Sequence, residues 1–460
     1  MKSQPIRDIP VPVIKLCQDL KKSGGIAYLV GGCVRDLLLG GQPRDFDLEV
    51  YGLDEEQLKG RLASIGRIET VGKAFGVIKL WLDSLEIDIA LPRCDQKTLP
   101  GHRGFAIEFN PNMNPREASS RRDFTINALM FDPAKKQLLD HHGGYHDLTA
   151  GILRHVSPAF AEDPLRVLRG MQFAARFRFR LDKETAIFCK EMLAEAETLA
   201  IERIWQEWLK WAMSPYPSYG LELLRESGWL ALYPQIQALI DCPQDPGWHP
   251  EGDVWNHTCL VVNKAAKIAN RYDWTGERRL ALMFSSLCHD FGKPITTIHD
   301  ADGHIRSPEH SRAGLDPASS FLRCVGAPLY LMPLLEPLLL DHLTHMHGDA
   351  TPRAVRRLAH RLEPADIELW EALVEADASG RKPHPACRPA MKWLQMAREI
   401  ASERGKPSPL VDGSMLMQLG IKPGPEMGKM IATAYEAQLD GAYETPAQAI
   451  AWCKENLSMR

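Results

Sequence analysis

The sequence predicts an α+β fold, with a small mixed sheet confined to the first third of the chain and helices thereafter. Three observations predict it. Between Ile26 and Pro92, strand-like runs ("IAYLVGG", "DFDLEVYG", "GVIKLWL", "LEIDIAL") are interleaved with helical ones ("VRDLLLG", "DEEQLKGRLASIG"). From about Ser157 onward, apolar residues recur at helical spacing, as in "PLRVLRGMQFAARF", "IERIWQEWLKWAM" and "HTCLVVNKAAKIAN". Pro- and Gly-rich stretches at 241–253, 380–389 and 405–413 punctuate the helical part. With these borders the expected modules are residues 1–155, 156–245, 246–385 and 386–460. A further stretch, 92–120, reads as a long loop inside the first module.

At 460 residues, 45% hydrophobic and 25% charged, the chain can bury several cores. A net charge of -4 excludes a uniformly basic nucleic-acid binder, so a polyanionic partner must be held by local Lys and Arg clusters. Cysteines without a CxxC pair, and no N-terminal apolar run of signal type, lead us to expect reduced thiols and a cytoplasmic protein. The segment "PLYLMPLLEPLLLDHL" (328–343) is interrupted by Pro333, Glu336 and Pro337, so no membrane partner is expected.

Taken in order, the first chemistry lies in "YLVGGCVRDLLLGGQPRDFDLEVYGL", residues 28–53. On an extended strand Asp45, Asp47 and Glu49 share one face, and Phe46, Leu48 and Val50 the other. Crowded carboxylates repel, and a hard cation such as Mg²⁺, held by one or two carboxylates plus substrate phosphates, removes that cost. "EIDIAL" repeats the design, with Asp88 facing away from Ile87 and Ile89. Beside the first strand, Asp88 could complete a catalytic two-metal site with Asp45 and Asp47. Taken alone, "DFD" also fits an edge strand showing its acids to water. Just upstream, Gly31 and Gly32 end a strand and open a helix, where backbone N–H groups can face a phosphate, and Arg35 adds a cation. A tight turn with a solvated Arg is the simpler reading of that pair.

In "RRDFTINAL", a helix would put Asp123 and Asn127 on one face, beside Arg121 and Arg122. In "AEDPLRVLRGMQF", Pro164 suits a first helical position and Asp163 an N-cap, while Arg166 and Arg169 are neighbours one turn apart. A carboxylate and an arginine together can also read bases. Cytosine and adenine present an amino donor beside a ring-nitrogen acceptor, whereas uracil and guanine present a carbonyl there. Each mismatch leaves buried groups unpaired at a cost of about 1–3 kcal/mol.

The motifs "LVGGCVRD", "RDFDLEV", "RRDFTINAL" and "EDPLRVLR", in that order over residues 28–180, resemble the class II tRNA nucleotidyltransferases, the CCA-adding enzymes and the related bacterial poly(A) polymerases. The resemblance implies a polymerase-β-like nucleotidyltransferase head followed by all-α RNA-binding and tail modules. It implies Mg²⁺ on Asp45 and Asp47, with Gly32, Arg35 and Arg122 on the incoming triphosphate and Asp123 near the ribose. Asp163 and Arg166 would read the base, with Arg169 in support. Asp88 falls where many members carry a third acid, often Glu, and Gln172 stands where many carry Arg, which leaves a narrowed nucleotide preference open. The implied activity is template-independent addition of CMP and AMP, from CTP and ATP, to the 3' end of tRNA. A poly(A) polymerase and a partial CC- or A-adding enzyme are the alternatives within the same class.

Past the first Pro-rich border come His257 in "WNHTCL", His289 and Asp290 in "SSLCHDFGKP", and Asp377 in "EADASGR". Adjacent residues on a helix diverge by about 100°, so His289 and Asp290 can meet one ion only near a helix end. "FGKP" supplies that end. This ordered set resembles the HD phosphohydrolase superfamily and implies a divalent transition metal. Histidine with carboxylate suits Ni²⁺, Mn²⁺ or Co²⁺ better than a structural zinc, and His310 and His342 could extend the site. The alternative from another class is a hydrolytic or regulatory HD protein whose head only binds nucleotides. Basic runs at 176–180 and 352–361, the second with Arg353, Arg357 and Arg361 four apart, fit either an RNA track or a solvated helix face. The sequence fixes no oligomeric state.

Overall fold

The structure is a computed structural model that describes residues 6, 9–43, 45–71, 76–82, 85–97, 105–381, 383, 387–400 and 408–457. Among the described residues, the strands up to Leu139 are β1 Ile26–Val30, β2 Phe46–Tyr51, β3 Arg67–Val71, β4 Val77–Leu82, β5 Leu85–Ala90, β6 Arg93–Lys97, β7 Phe105–Phe109, β8 Met130–Asp132 and β9 Gln137–Leu139. Seven of them form one sheet in the order β3-β4-β5-β2-β1-β8-β9. The sheet is mixed, because β2 and β5 run parallel while the other neighbours are antiparallel. The two-residue period decides what faces the core: Phe46, Leu48 and Val50 of β2, and Ile87 and Ile89 of β5, are buried. The helix Val11–Lys22 adds Val13, Leu16 and Leu20 to the buried set.

Two expectations change. The stretch 92–120 is not a plain loop: β6 and β7 pair as an antiparallel ribbon, and Pro115–Ser120 is a short helix capped by the Asn114 side chain. Residues 98–104 lie outside the described residues. Thr125–Asn127 is a single 3-10 turn rather than an α-helix.

The chain divides into two compact units, residues 1–207 with 219–230, and 208–218 with 231–460. In the first, the sheet is followed by helices including Leu165–Phe177 and Lys183–Glu191. The second is helical apart from the small pair Ile298–His299 with Ile305–Arg306. Its interior is aromatic. Trp208 lies with ring centroids 5.1 Å from Tyr233 and 5.2 Å from Phe321, and its indole N–H donates to Tyr233 Oη at 3.1 Å, so the polar end is satisfied inside the core. The C-terminal helices, Gly413–Gln418, Pro425–Leu439 and Pro446–Asn456, close around Leu416, Ala434, Ala449 and Cys453. The described cysteines are free thiols, and no helix among the described residues is long and apolar enough to cross a membrane.

Candidate active site and metal centre

In the first unit, the parallel register sets Asp47 directly beside Asp88. Asp45 is exposed and lies one residue before β2, on the Asp47 side of the alternation. Glu49, on the same face, is buried and engaged instead, accepting from Tyr51 Oη at 2.9 Å. Burial raises the Asp47 carboxyl above the usual carboxylate range; Arg122 opposes this, and the nearby Asp88 and Asp45 add to it. Lys79, paired across from Asp88 on β4, lies 3.3 Å from its carboxylate and also binds Glu86. Acids gathered in this way ask for a cation.

The glycine pair has a specific task. Gly31 sits at φ +74°, and a Cβ there would meet Arg122 Nη1 at 2.8 Å and Asp47 Oδ2 at 3.8 Å. Only a residue without a side chain lets the Arg122 guanidinium lie over the strand end beside Asp47. Gly32 opens the short helix Gly32–Leu38. Arg35, one turn in, is 4% exposed: it donates to Asn127 Oδ1 at 2.6 Å and to Asp36 Oδ1 at 2.8 Å, and lies over the Phe177 ring at 4.6 Å. Its cation is bound into the fold rather than held out to solvent.

Asp123 and Asn127 do meet, although no helix carries them: Asn127 Nδ2 donates to Asp123 Oδ1 at 2.9 Å, and Arg169 Nε donates to Asp123 Oδ2 at 2.8 Å. Burial alone would raise the Asp123 carboxyl, but Arg169, Asn127 and the Phe124 N–H together hold it below its ordinary value. Asp163 and Arg166 are each engaged elsewhere. Asp163 is not the N-cap the motif suggests, since the helix begins at Leu165 with Pro164 as its cap; its carboxylate accepts from Leu165 N at 3.2 Å and pairs with Arg203 at 2.8 Å. Arg166 donates to the carbonyls of Ala159 and Arg121 at 2.6 and 2.7 Å. Gln172 is buried on the same helix. Arg203 stands 40 residues from Asp163, and Arg121 stands 45 from Arg166, so neither partnership was legible from the motif.

In the second unit, the four residues of the His, His-Asp, Asp set converge. The helix Gly276–Cys288 stops at His289, so His289 and Asp290 can both turn toward one centre. His257 Nε2 lies 3.1 Å from Asp377 Oδ1 and 3.3 Å from His289 Nε2, and His289 Nε2 lies 3.2 Å from Asp290 Oδ2. His310 and His342 complete a second group: their Nε2 atoms are 3.4 Å apart, with Asp290 Oδ1 3.5 Å from His310. Among the described residues, every triad of potential ligands within 4.8 Å of one another falls in this unit.

The protons show why these groups fit a metal. His289, His310 and His342 each place Nδ1 on a backbone carbonyl, of Ser286, Ser307 and Leu339 at 3.0, 2.8 and 2.7 Å. A carbonyl only accepts, so Nδ1 carries a hydrogen and Nε2 is the nitrogen that faces inward, where the neutral ring offers its lone pair. Two such lone pairs at 3.4 Å repel until a cation lies between them. Burial, with His310 and His289 adding, pushes His342 down to about 3, so it stays neutral and available as a ligand. His257 behaves differently: acids on both sides, Asp377 and Glu251, raise it despite its burial.

Sequence reasoning missed Glu251 and His249, which lie in the stretch read as a module border. Glu251 Oε1 accepts from His257 Nδ1 at 2.7 Å and from His249 Nδ1 at 2.9 Å. Burial alone would raise Glu251, but its two imidazole partners hold it down to about 2. A carboxylate behind a metal-facing histidine fixes the ring's tautomer and direction. The available signal was "HPEGD", a His and a Glu two apart just ahead of the Asp253 N-cap. Lys293, at the end of the His-Asp motif, lies 2.8 Å from Asp290.

The basic run at 352–361 is not an open track. Arg353 makes two bonds to Asp440 at 2.8 and 3.0 Å, Arg357 binds Asp440 at 2.7 Å, and Arg361 binds Asp341 at 2.7 Å. In the run at 176–180, Arg176 pairs with Asp36 at 3.0 Å.

Comparison with known proteins agrees with this geometry. The Poly A polymerase head domain matches residues 27–154, and the probable RNA and SrmB- binding site of polymerase A matches residues 178–240. The multifunctional CCA protein of Nitrosococcus oceani is 36% identical over 371 residues, 78% of this chain and 87% of that protein. That of Acidovorax sp. (strain JS42) is 35% identical over 436 residues, 92% of this chain and 97% of that protein. Among solved structures, the Bacillus stearothermophilus CCA-adding enzyme in complex with CTP aligns with a TM-score of 0.62 at 22% identity, covering 97% of this chain and 98% of that one. The Thermotoga maritima CCA-adding enzyme complexed with tRNA aligns with a TM-score of 0.57 at 19% identity, covering 98% and 97%. At these identities the structures speak for the fold, while the sequence relatives speak for descent. With the glycine turn, the paired aspartates and near full-length relatives all in place, the chain belongs to the family of the multifunctional CCA proteins and is an enzyme of nucleotidyl transfer.

Proposed function

We propose that the chain adds CMP and AMP, from CTP and ATP, to the 3' end of tRNA without a template, and that its second unit is a metal-dependent phosphohydrolase. The observation that carries the first half is the register of Asp47 beside Asp88, with Arg122 laid across Gly31. The solved CCA-adding enzymes of like fold, captured with CTP, with ATP and with tRNA, support the substrates. Asp45 and Asp47, with Asp88 alongside, would hold Mg²⁺, which when bound compensates the charge of the triphosphate and of the leaving pyrophosphate. Arg122 stands where it can take a triphosphate oxygen, at the turn formed by Gly31 and Gly32. Arg35, locked beneath that turn by Asn127 and Asp36, keeps it in place. In the transfer, the terminal hydroxyl oxygen of the tRNA bonds to the α-phosphorus in line, the α–β phosphoanhydride bond breaks, and the hydroxyl proton is released. Asp123, fixed by Arg169 and Asn127, would lie near the ribose, and Asp163 and Arg166, held here by Arg203 and by two backbone carbonyls, would read the base.

The hydrolase half rests on the inward Nε2 lone pairs of the second unit. His257, His289, Asp290 and Asp377, extended by His310 and His342, would hold Ni²⁺, Mn²⁺ or Co²⁺, which supplies Lewis acidity toward a phosphoryl oxygen. Lys293, beside Asp290, adds positive charge to the cavity wall. Labelled CTP and ATP offered with end-trimmed tRNA test the transferase: incorporation of both labels is expected, whereas ATP alone would mark an A-adding enzyme or a poly(A) polymerase. Hydrolysis of adenosine 2',3'-cyclic phosphate in the presence of Ni²⁺ or Mn²⁺ tests the hydrolase, and an inert protein would refute it.

A further inference from the structure

The second-unit centre opens into a cavity of about 230 Å³. Asp290, His310, His342 and Asp377 line it together with two cations, Lys293 and Arg381. Phosphate chemistry accounts for these groups. It does not account for Trp248 and Met346, which line the same cavity and are nonetheless 64% and 54% exposed. Large apolar side chains left open to water beside a polar centre mark a place where a ligand covers them.

Trp248 is not loose. Its backbone N–H donates to Asp245 O at 3.1 Å, and the next residue's does so at 2.8 Å. The Asp245 carboxylate in turn accepts from Gly247 N at 2.9 Å and lies 2.9 Å from His304 Nδ1. A built turn therefore holds Trp248 at the cavity wall. Arg381 supplies a second signal: its Nε is buried without a hydrogen-bond partner among the described residues, while Nη2 lies 3.5 Å from the ligand Asp377. A buried guanidinium N–H of this kind lacks an acceptor, and a phosphate oxygen is the acceptor the site is built for.

We propose that this cavity is a nucleotide subsite in which Trp248 stacks on the base of the substrate and Arg381 takes an oxygen of its phosphate. The proposal rests on the hydrolase reading and adds to it the residue that selects the base, Trp248, acting through its ring rather than through base-edge hydrogen bonds. Stacking tolerates every base, so the four nucleosides should be accepted with modest differences.

The test uses the full chain loaded with Mn²⁺, as wild type, Trp248→Ala and Trp248→Phe. The substrates are adenosine 2',3'-cyclic phosphate and its base-free counterpart, the 2,3-cyclic phosphate of methyl riboside. Trp248→Ala should raise KM for the nucleotide about tenfold or more, leave the base-free ester at its wild-type rate, and be rescued by Trp248→Phe. Unchanged KM for the nucleotide in Trp248→Ala overturns the proposal, as does an equal loss on both substrates, which marks a merely structural role. A wild-type protein that hydrolyses neither ester removes the hydrolase reading and this proposal with it, an outcome distinct from the other two.

Discussion

At the scale of single residues, the two sites depend on positions where one atom more or less decides the geometry. Gly31→Ala would force a Cβ to within 2.8 Å of the Arg122 guanidinium at a positive φ. Nucleotide incorporation should fall by about 100-fold, with the far-UV circular dichroism of the fold retained. Glu251→Gln keeps the shape but removes the charge behind His257, and Mn²⁺ affinity measured by calorimetry should weaken about 10- to 100-fold. Asp123 makes a pH-dependent contribution to stability. Its folded-state pKa is depressed, so its contribution is present above the unfolded carboxylate value and is lost as pH falls through the folded one. Asp123→Asn should therefore flatten the acid limb of the unfolding curve below about pH 4 while lowering stability at neutral pH. Residues whose meaning is local, such as Gly31 or the His289-Asp290 pair at a helix end, could be read from the chain. Arg203, which binds Asp163, and Glu251, which backs His257, could not, because neither partnership leaves a periodic or motif signature.

At the scale of elements, the strand periodicity did most of the work. The alternation in β2 and β5 told which side was apolar, and the parallel pairing then set Asp47 beside Asp88. A slip of one residue in either strand would carry the acids into the core and Ile87 or Leu48 out of it. The ribbon β6–β7 was hidden because "RCDQK" shows no apolar alternation, and β8 and β9 because three residues are too few to show a period. The helix Pro352–Leu362 illustrates the opposite error, a legible pattern with an ambiguous meaning. Its arginines stand four apart as an RNA track would, but Asp440 and Asp341 already compensate them. Arg353→Gln should accordingly change tRNA affinity by less than about twofold and leave its salt dependence unaltered.

At the scale of the whole molecule, the transferase and the proposed hydrolase fall in different compact units, so they should be separable by mutation. Asp47→Asn should abolish incorporation of labelled CTP and ATP while hydrolysis of the cyclic nucleotide persists, and Asp290→Asn should do the reverse. Activity assays on both variants check this, and a cross-effect of more than about tenfold would contradict it. Within the second unit no such separation is available. The triad of His257, His289 and Asp377 and the triad of Asp290, His310 and His342 are stitched together by the single peptide bond between 289 and 290. Any drift of that link disturbs both triads at once. A protein engineer wanting to keep one triad without the other must therefore prune side chains, since inserting or deleting backbone at that seam would dismantle both.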